Sequence, residues 1–416
     1  MLLRIGIVGT ARILPSHLRG MRALLQAGLA DFRITALVGR TTAGAMAFRR
    51  RGEGPAPRPP VGAPGDPLAA EHLYVSDVHP DTLPECFGDV RAMLDAGCVD
   101  AVLLLTPVHL HHTQAIACLE AGVHVLCEKP LAVSVRAGRA MVEAALRHGR
   151  VLGVAEGVAY DATVRLQAWA VRGGVVGPVE MVLMGGVGTG AWSPDRIVAE
   201  TPWRHRKLEA GGGPSIDIGV HQFDHIRAVA GEVAEVTAMT ARFAPERVTP
   251  GPDGSVSQRV HPDVEDTFHA VFRLATGGLG HVSFSWAGHG DPTFWPGGPV
   301  VYGGRGVLKG RRWQPEGGAE VDLASLAGAE AQQDAWFPGG IRDTKALQFL
   351  DFLRAVSGGP TMEADGDQGL ADLACAMAVL ESAAARQVVR VADVLSGAVD
   401  AYQRPIDTAH GLGGLT

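Results

Sequence analysis

Short apolar runs alternate with longer helix-like segments through the first 155 residues, and this alternation restricts the possible folds more than any other feature of the chain. A strand, a helix and a further strand form a right-handed unit, and successive units build a parallel sheet. We therefore expect an α/β domain here. The strand-like runs are residues 5–8, 34–38, 100–105 and 124–127, and the helix-like segments are residues 15–27, 43–51 and 111–121.

After about residue 155 the patterning becomes typical of a second kind of sheet. Residues 275–278, with the sequence ATGG, join two strand-like runs and predict an antiparallel hairpin. The strand-like runs are residues 179–184, 233–243, 267–274 and 279–286, and helical periodicity returns at residues 344–356 and 368–386.

Two consecutive domains follow from this change. The first covers residues 1–155 and includes a Pro/Gly-rich stretch at 52–67, which we interpret as an exposed insertion. The second covers residues 156–400 and should hold a largely antiparallel open β-sheet flanked by helices. The sequence leaves open whether the tail after Val389 returns to pack on the first domain.

The composition excludes several classes of function. A net charge of −7 disfavours a nucleic-acid partner, because binding phosphates needs a basic face. The longest apolar stretches are too short to cross a membrane, and the N-terminus lacks the pattern of a signal peptide. The five cysteines form no C-x-x-C pair, so we expect no metal site and a reducing compartment, the cytoplasm.

A glycine-rich turn follows the first strand. In a dinucleotide-binding turn Gly9 would allow a sharp bend, and a small residue such as Ala11 would let the backbone approach a pyrophosphate at a helix N-terminus. The G-x-G-x-x-G pattern is degenerate, because Ala11 and Leu14 replace its later glycines. A tight turn in another kind of α/β protein fits the same residues. The turn residues expected to bind cofactor are Gly9, Thr10, Ala11, Arg12 and Ile13.

The end of the second strand indicates which dinucleotide is preferred. An acidic residue there would bind the ribose hydroxyls of NAD, but the chain reads Gly39-Arg40-Thr41. Arg40 can stack on adenine and pair with a 2′-phosphate, and Thr41 can donate to it. This favours NADP, with NAD possible. The alternative is that Arg40 is a solvated arginine after a strand.

Several segments together resemble one protein family. Residues 106–130, TPVHLHHTQAIACLEAGVHVLCEKP, contain an E-K-P element, and residues 211–221, GGGPSIDIGVH, contain D-x-G-x-H. With Trp203-Arg204 and the V-E-D at 264–266, these segments resemble the Gfo/Idh/MocA oxidoreductases. Val108, where the family usually has Asn, is a departure that removes one polar contact on the cofactor side.

The resemblance implies an N-terminal Rossmann domain and assigns roles to individual residues. Lys129 would lie beside the nicotinamide and either stabilise charge on the reacting oxygen or relay its proton. Glu128 would contact the nicotinamide ribose, unless it is only an exposed carboxylate at a strand end. Thr106, Pro107 and His111 would line the cofactor pocket.

On the substrate side the resemblance assigns a hydroxyl contact to Asp217 and acid–base work to His221. Their spacing of four places both on one face of a helix, which we expect to begin near Pro214. Tyr160 and the Trp203-Arg204 pair are further candidates for contacting substrate, with core packing as the alternative.

The sequence thus indicates a nicotinamide-dependent oxidoreductase acting on CH–OH groups. Its substrate would be a sugar, cyclitol, sugar nucleotide or glycoside, and the reaction would transfer hydride between nicotinamide C4 and a secondary alcohol or ketone carbon. Two alternatives remain: a member that retains its cofactor and cleaves glycosides, and a non-catalytic sensor of dinucleotide or sugar. By analogy with the family we expect a homo-oligomer, a dimer or tetramer.

Overall fold

The computed structural model describes residues 2–10, 12–53, 57, 59–60, 67–188, 201–250, 253, 255–294, 298–329 and 335–413. The chain divides into two compact units. The first consists of Met1–Ala132, Gly138–Gly157 and Phe337–Gly369, and the second consists of Val133–Ala137, Val158–Trp336 and Leu370–Thr416.

Six parallel strands form the sheet of the first unit. They are β1 (Leu3–Val8), β2 (Phe32–Val38), β3 (Glu85–Phe87), β4 (Ala101–Leu104), β5 (His124–Cys127) and β6 (Leu152–Val154). Their order, β3-β2-β1-β4-β5-β6, is that of a Rossmann fold. The predicted parallel α/β domain is therefore confirmed. Most of the stretch at 52–67 lies outside the described residues.

Helices alternate with these strands. They are α1 (Leu14–Gln26), α2 (Thr42–Met46), α3 (Val90–Asp95), α4 (His111–Glu120) and α5 (Val135–His148). In α1 the buried apolar residues Leu14, Leu18, Met21 and Leu24 recur at spacings of three and four, which is the spacing of one helix face. Burial of that face in the core of the unit stabilises this segment as a helix.

The second unit contains a larger, mixed sheet. The remaining helices are α6 (Ala162–Arg172), α7 (Lys207–Ala210), α8 (Pro214–Asp217), α9 (Gly219–Ala230), α10 (Leu323–Ala327), α11 (Thr344–Val356), α12 (Gly366–Ala385), α13 (Val391–Ser396) and α14 (Arg404–Ala409). The remaining strands are β7 (Val179–Val187), β8 (Val233–Ala241), β9 (Arg247–Pro250), β10 (Val256–Val260), β11 (Thr267–Leu274), β12 (Leu279–Ser285), β13 (Thr293–Phe294), β14 (Val300–Gly303), β15 (Gly306–Lys309), β16 (Arg312–Pro315), β17 (Val321–Asp322) and β18 (Val389–Arg390).

The sheet of the second unit runs β17-β16-β15-β14-β7-β12-β11-β8-β18, with β13 also paired to β7. Strands β7 and β12 pair in parallel, and the other pairs are antiparallel. The predicted hairpin is confirmed, with Thr267 of β11 opposite Ser285 of β12. Along β11, Phe268, Ala270 and Phe272 are buried, while Val271 is exposed. One face of this sheet is therefore a core face and the other is open.

Helix α11 belongs to the first unit, although the sequence suggested two consecutive domains, 1–155 and 156–400. It packs against α1 at Gly20, where a Cβ atom would lie 2.7 Å from the backbone nitrogen of Ala346. The ring of Phe349 also meets Phe32 of β2 edge-on, with centroids 5.1 Å apart. This close helix contact brings Lys345, in the first turn of α11, into the first unit. The tail after Val389 groups with the second unit.

Candidate active site

The turn between β1 and α1 has the features that a pyrophosphate requires. Gly9 has a φ of +101°, and a Cβ atom there would lie 2.8 Å from the carbonyl carbon of Leu105, so only glycine fits. Helix α1 has no side-chain cap at Ile13 and no acidic residue in its first turn, so its positive end is open to an anion. Thr10 and Arg12 are half-buried beside the turn, and Ala11 lies outside the described residues.

The end of β2 offers a basic group. The Gly39 backbone is held by a hydrogen bond to the Phe87 carbonyl, and a Cβ atom there would crowd the backbone nitrogen of Ala45 at 2.7 Å. Arg40 is exposed and has no hydrogen-bond or ion-pair partner within the described part of the chain. Thr41 Oγ1 caps α2 by accepting from the Gly44 amide at 3.1 Å, which leaves its hydroxyl proton to donate elsewhere.

His111 links the ends of two neighbouring strands. Its Nε2 lies 2.8 Å from the carbonyl oxygen of Thr106, after β4, and its Nδ1 lies 3.0 Å from that of Pro130, after β5. Burial lowers the pKa of His111, opposed by these hydrogen bonds, and a neutral imidazole has one N–H to share between two carbonyls. Thr106 Oγ1 donates to Gln114, and Pro107 is half-buried. His111 therefore aligns the two strand ends.

Lys129 is half-buried at the carboxyl end of β5, and its bond to Pro130 is cis. Its neighbour Glu128 is only 8% exposed. Glu128 Oε1 accepts from His17 Nε2 at 2.8 Å and from Lys345 Nζ at 2.8 Å, and its Oε2 accepts from the Lys129 amide at 3.2 Å. Glu128 is thus not the exposed strand-end carboxylate that the sequence left as an alternative.

After burial, Lys345 has the largest influence on the pKa values of this cluster. Burial alone would raise the pKa of Glu128, but the Lys345 ammonium and the His17 hydrogen bond hold it well below its usual range. Burial, reinforced by Lys345, lowers the pKa of His17 to about 4. At neutral pH the cluster therefore contains an anionic Glu128, a cationic Lys345 and a neutral His17. Sequence reasoning missed both partners, which lie 111 and 217 residues from Glu128.

The sequence predicted that Asp217 and His221 lie on one helix. In the second unit they lie on two, α8 and α9. Helix α8 ends at Asp217 and α9 begins at Gly219, with Ile218 between them at φ −106°. The β-branched Ile218 followed by Gly219 combines two residues of low helix propensity, which accounts for the interruption. Asp217 is 8% exposed, and His221 is half-buried in the first turn of α9.

Glu265, from the V-E-D segment, holds the turn that leads to Asp217. Its Oε1 accepts from the Gly213 amide at 2.9 Å, the Ser215 amide at 3.1 Å and the Ser215 hydroxyl. A Cβ atom on Gly213 would lie 1.9 Å from the Glu265 carbonyl oxygen, so the close approach requires glycine. Burial raises the pKa of Glu265, opposed by the hydrogen bonds from Ser215 and Gly213. The sequence indicates the V-E-D segment as part of the family resemblance, but it does not indicate this role of Glu265.

Arg204 lies beside Asp217, with its Nε 3.3 Å from Oδ2. Its guanidinium stacks on Trp203, with 4.4 Å from Cζ to the ring centroid. Tyr160 is 1% exposed and lies under the guanidinium of Arg165, at 5.5 Å. The burial of Tyr160 favours its packing role, while a contact between Tyr160 and substrate stays a prediction.

Comparison with known proteins identifies the family. Residues 3–156 match a model described as an oxidoreductase family with an NAD-binding Rossmann fold, and residues 169–309 match the GFO/IDH/MocA C-terminal domain. The 1,5-anhydro-D-fructose reductase of Ensifer adhaerens is 31% identical over 298 residues, which span 70% of this chain and 80% of that protein. The chain belongs to the Gfo/Idh/MocA family. It is therefore an oxidoreductase with a nicotinamide dinucleotide as cofactor.

Other Gfo/Idh/MocA proteins match over most of their length. The rhizopine catabolism protein MocA of Rhizobium meliloti is 27% identical over 77% of this chain and 86% of its own. A solved structure of levoglucosan dehydrogenase, a complex with NADH and levoglucosan, superposes with a TM-score of 0.71 at 21% identity. The match covers 94% of this chain and 99% of that one and shows a shared fold.

Two further observations concern metal sites and membrane-spanning helices. Within the described residues no three His, Cys, Asp or Glu side chains are grouped so that they could hold a metal ion. None of the described helices is both long enough and apolar enough to cross a membrane.

Proposed function

We propose that this protein catalyses reversible hydride transfer between nicotinamide C4 and a secondary alcohol or ketone carbon of a sugar, cyclitol, sugar nucleotide or glycoside. The observation that carries the proposal is the position of Lys129, half-buried at the carboxyl end of the interior parallel strand β5, where such sheets bind their ligands. Relatives named as a 1,5-anhydro-D-fructose reductase, a levoglucosan dehydrogenase and a myo-inositol 2-dehydrogenase support the substrate class.

The residues present suit a bound dinucleotide. The open N-terminus of α1 fits the pyrophosphate, and the exposed Arg40, which has no partner among the residues that the structure describes, fits a 2′-phosphate, which favours NADP over NAD. When bound, the nicotinamide ring supplies the hydride donor or acceptor that side chains lack. The residues that would hold it are Gly9, Thr10, Ala11, Arg12, Ile13, Gly39, Arg40, Thr41, Thr106, Pro107, His111, Glu128 and Lys129.

Three side chains would act on the substrate, two of them on the reacting hydroxyl. An imidazole can act as a general acid or a general base, so His221 can exchange the hydroxyl proton. The Lys129 ammonium stabilises negative charge on the same oxygen. Asp217, whose carboxylate is already oriented by Arg204, accepts a hydrogen bond from a substrate hydroxyl and fixes the ring. Trp203 and Tyr160 are the further candidates for contacting substrate.

The experiment that tests this function measures reduced nicotinamide by absorbance while the protein meets a panel of sugars and polyols. Lys129→Ala should lower turnover by about 10³-fold or more, since it removes the group that stabilises the developing charge, and should change dinucleotide affinity far less, because the other proposed cofactor-binding residues still hold the cofactor. Lys309→Ala is the matched control, because Lys309 is an exposed lysine on β15. Retained turnover in Lys129→Ala would disprove the assigned role of Lys129. Tight dinucleotide binding without turnover on any substrate would instead favour a sensor.

The cofactor preference has its own test. Arg40→Asp should weaken NADP binding by roughly 10-fold or more and NAD binding less, because it replaces the cation with a carboxylate that repels the 2′-phosphate. Dissociation constants for both dinucleotides, measured from nicotinamide fluorescence, check this. An unchanged ratio of the two constants would remove the argument for NADP.

We also propose that the protein is a homo-oligomer, a dimer or tetramer, that works in the cytoplasm. The open face of the second unit's sheet exposes apolar side chains on adjacent strands, including Met239, Val271, Leu279 and Met181. Large apolar side chains exposed on one face of a sheet are typical of interaction surfaces. All five cysteines are free thiols, which suits a reducing compartment. Light scattering in solution measures the mass, and a monomer would contradict the proposed assembly.

A further inference from the structure

We infer that Lys345 and His17 are positioning residues for Lys129, and that both act through Glu128. This inference rests on the proposed function, because it assigns a purpose to groups that surround the proposed catalytic lysine. Neither residue belongs to any motif that the sequence offered, and neither lies near Lys129 along the chain.

The geometry places one carboxylate between two donors and the lysine's own backbone. Lys345 Nζ and His17 Nε2 both lie 2.8 Å from Oε1 of Glu128. The other oxygen, Oε2, accepts from the backbone amide of Lys129 at 3.2 Å. Lys345 Nζ also donates to the carbonyl of Ala155, after β6, at 3.3 Å. The carboxylate thereby ties the peptide of Lys129 to two helices and to the end of the next strand.

The two helices are themselves held in place. Asp343 caps α11 by accepting from the Ala346 amide at 3.0 Å, which orients the first turn that carries Lys345. The close contact at Gly20 keeps α1, with His17 one turn earlier, against this part of α11. His17 has a side-chain exposure of 1% and Lys345 of 10%, so neither can leave the cluster without a local opening of the unit.

The positive charge of Lys345 keeps Glu128 ionised, and the ionised carboxylate holds the Lys129 peptide. A buried carboxylate without a cation tends to take up a proton, because burial penalises its charged form. A protonated Glu128 could no longer accept strongly from three donors, and the Lys129 peptide would lose its constraint. The groups near enough to influence Glu128 are His17, Lys345, Cys127 and His111, and Asp343 influences His17.

The test compares Lys345→Met, Glu128→Gln and the double variant Lys345→Met/Glu128→Gln with the control Arg19→Gln. Arg19 pairs with Asp343 at 3.0 Å on the exposed side of the same two helices, so its loss removes a cation without touching Glu128. Lys345→Met should lower kcat by about 10–100-fold, the effect of misplacing a catalytic group slightly, with a smaller change in KM. Arg19→Gln should change neither value.

The pH profile separates positioning from a general structural role. In Lys345→Met, kcat should fall towards acid pH along a new limb, because Glu128 becomes protonated there. In the double variant this limb should vanish, because glutamine does not titrate. A double variant whose loss in kcat is the product of both single losses, or a Lys345→Met profile parallel to that of the unmodified protein, would overturn the inference.

A second measurement does not depend on turnover, so it distinguishes failure of this inference from failure of the proposed function. The protein is labelled with ¹³C at the glutamate carboxyl carbons, and the Glu128 signal is assigned by its loss in Glu128→Gln. We expect that signal to stay at its ionised position from pH 8 down to pH 5 in the unmodified protein and to titrate within this range in Lys345→Met. Titration in the unmodified protein would overturn the inference even if no substrate is found.

Discussion

Two buried glutamates, one in each unit, hold the segments that carry the proposed site residues, and they do so by opposite means. Glu128 and Glu265 are equally buried, at 8% exposure. Glu128 accepts from a cation and an imidazole, whereas Glu265 accepts from two backbone amides and a hydroxyl, all neutral. The pKa of Glu128 is accordingly held low, and burial raises the pKa of Glu265.

The difference reflects which donors the local backbone provides. Gly213 and Ser215 lie at the start of α8, where amides have no partner within the helix, so Glu265 satisfies groups that the fold leaves open. Glu128 lies at the end of a strand, where it accepts locally from the Lys129 amide and obtains its side-chain donors from α1 and α11. The orientation of Glu265 therefore depends on close approach of the backbone, whereas that of Glu128 depends on a charged partner.

The largest effect should come from the backbone of the second unit. In Gly213→Ala the new Cβ atom would lie 1.9 Å from the Glu265 carbonyl oxygen, so the turn cannot form unchanged. We expect a loss of roughly 4 kcal/mol or more in the free energy of unfolding, above the ~1–3 kcal/mol that overpacking typically costs, because the new atom meets backbone that cannot rotate away. Gly219→Ala is the control, because its Cβ atom would meet neighbours only at 3.7 Å and beyond. Equal stability losses in the two variants, measured by urea denaturation, would contradict this account of the turn.

The next effect compares the two carboxylates directly. Glu128→Gln leaves the buried Lys345 ammonium without its counter-ion and should cost about 3 kcal/mol at pH 7. Glu265→Gln keeps an acceptor for neutral donors and should cost about 1 kcal/mol. Urea denaturation of both variants at pH 7 measures the difference. Equal costs, or a larger cost for Glu265→Gln, would show that charge is not what distinguishes the two sites.

Local signals explain why much of the fold could be predicted from the sequence. The hairpin of β11 and β12 follows from the ATGG turn and alternating apolar residues, and the parallel sheet follows from the strand–helix alternation. The interruption at Ile218 escaped prediction, because helical spacing alone does not show where a helix breaks. The return of α11 to the first unit escaped as well, because its contact through Gly20 involves residues more than 300 positions apart.

Some residues of the candidate site could likewise be predicted from the sequence, and others could not. Lys129, Asp217 and His221 could be proposed because they belong to short motifs that resemble a known family. His17 and Lys345 could not, because nothing local marks a histidine on an apolar helix face or a lysine in the first turn of α11 as the partner of a distant glutamate. Predicting them requires the packing of α1 against α11, which is a property of the folded unit.

The smallest effect, and the sharpest test of the comparison, is the pH dependence of these stability losses. A carboxyl whose pKa is lowered by folding contributes stability above its unfolded pKa of about 4.3, and that contribution is lost as the pH falls. A carboxyl whose pKa is raised contributes stability that is complete below about pH 4.3 and is lost as the pH rises through its folded pKa. The cost of Glu128→Gln should therefore shrink between pH 7 and pH 4, while the cost of Glu265→Gln should grow.

We expect each change to be on the order of 1 kcal/mol or less, because the window covers only part of each titration. His17 adds to the dependence in the first unit, since its pKa of about 4 means that stability is lost as the pH falls from about 6.5. His17→Gln removes this contribution and serves as the reference for Glu128→Gln. If the two costs changed in the same direction, folding would shift the pKa of both carboxyls in the same direction. The different partners of Glu128 and Glu265 argue against that outcome.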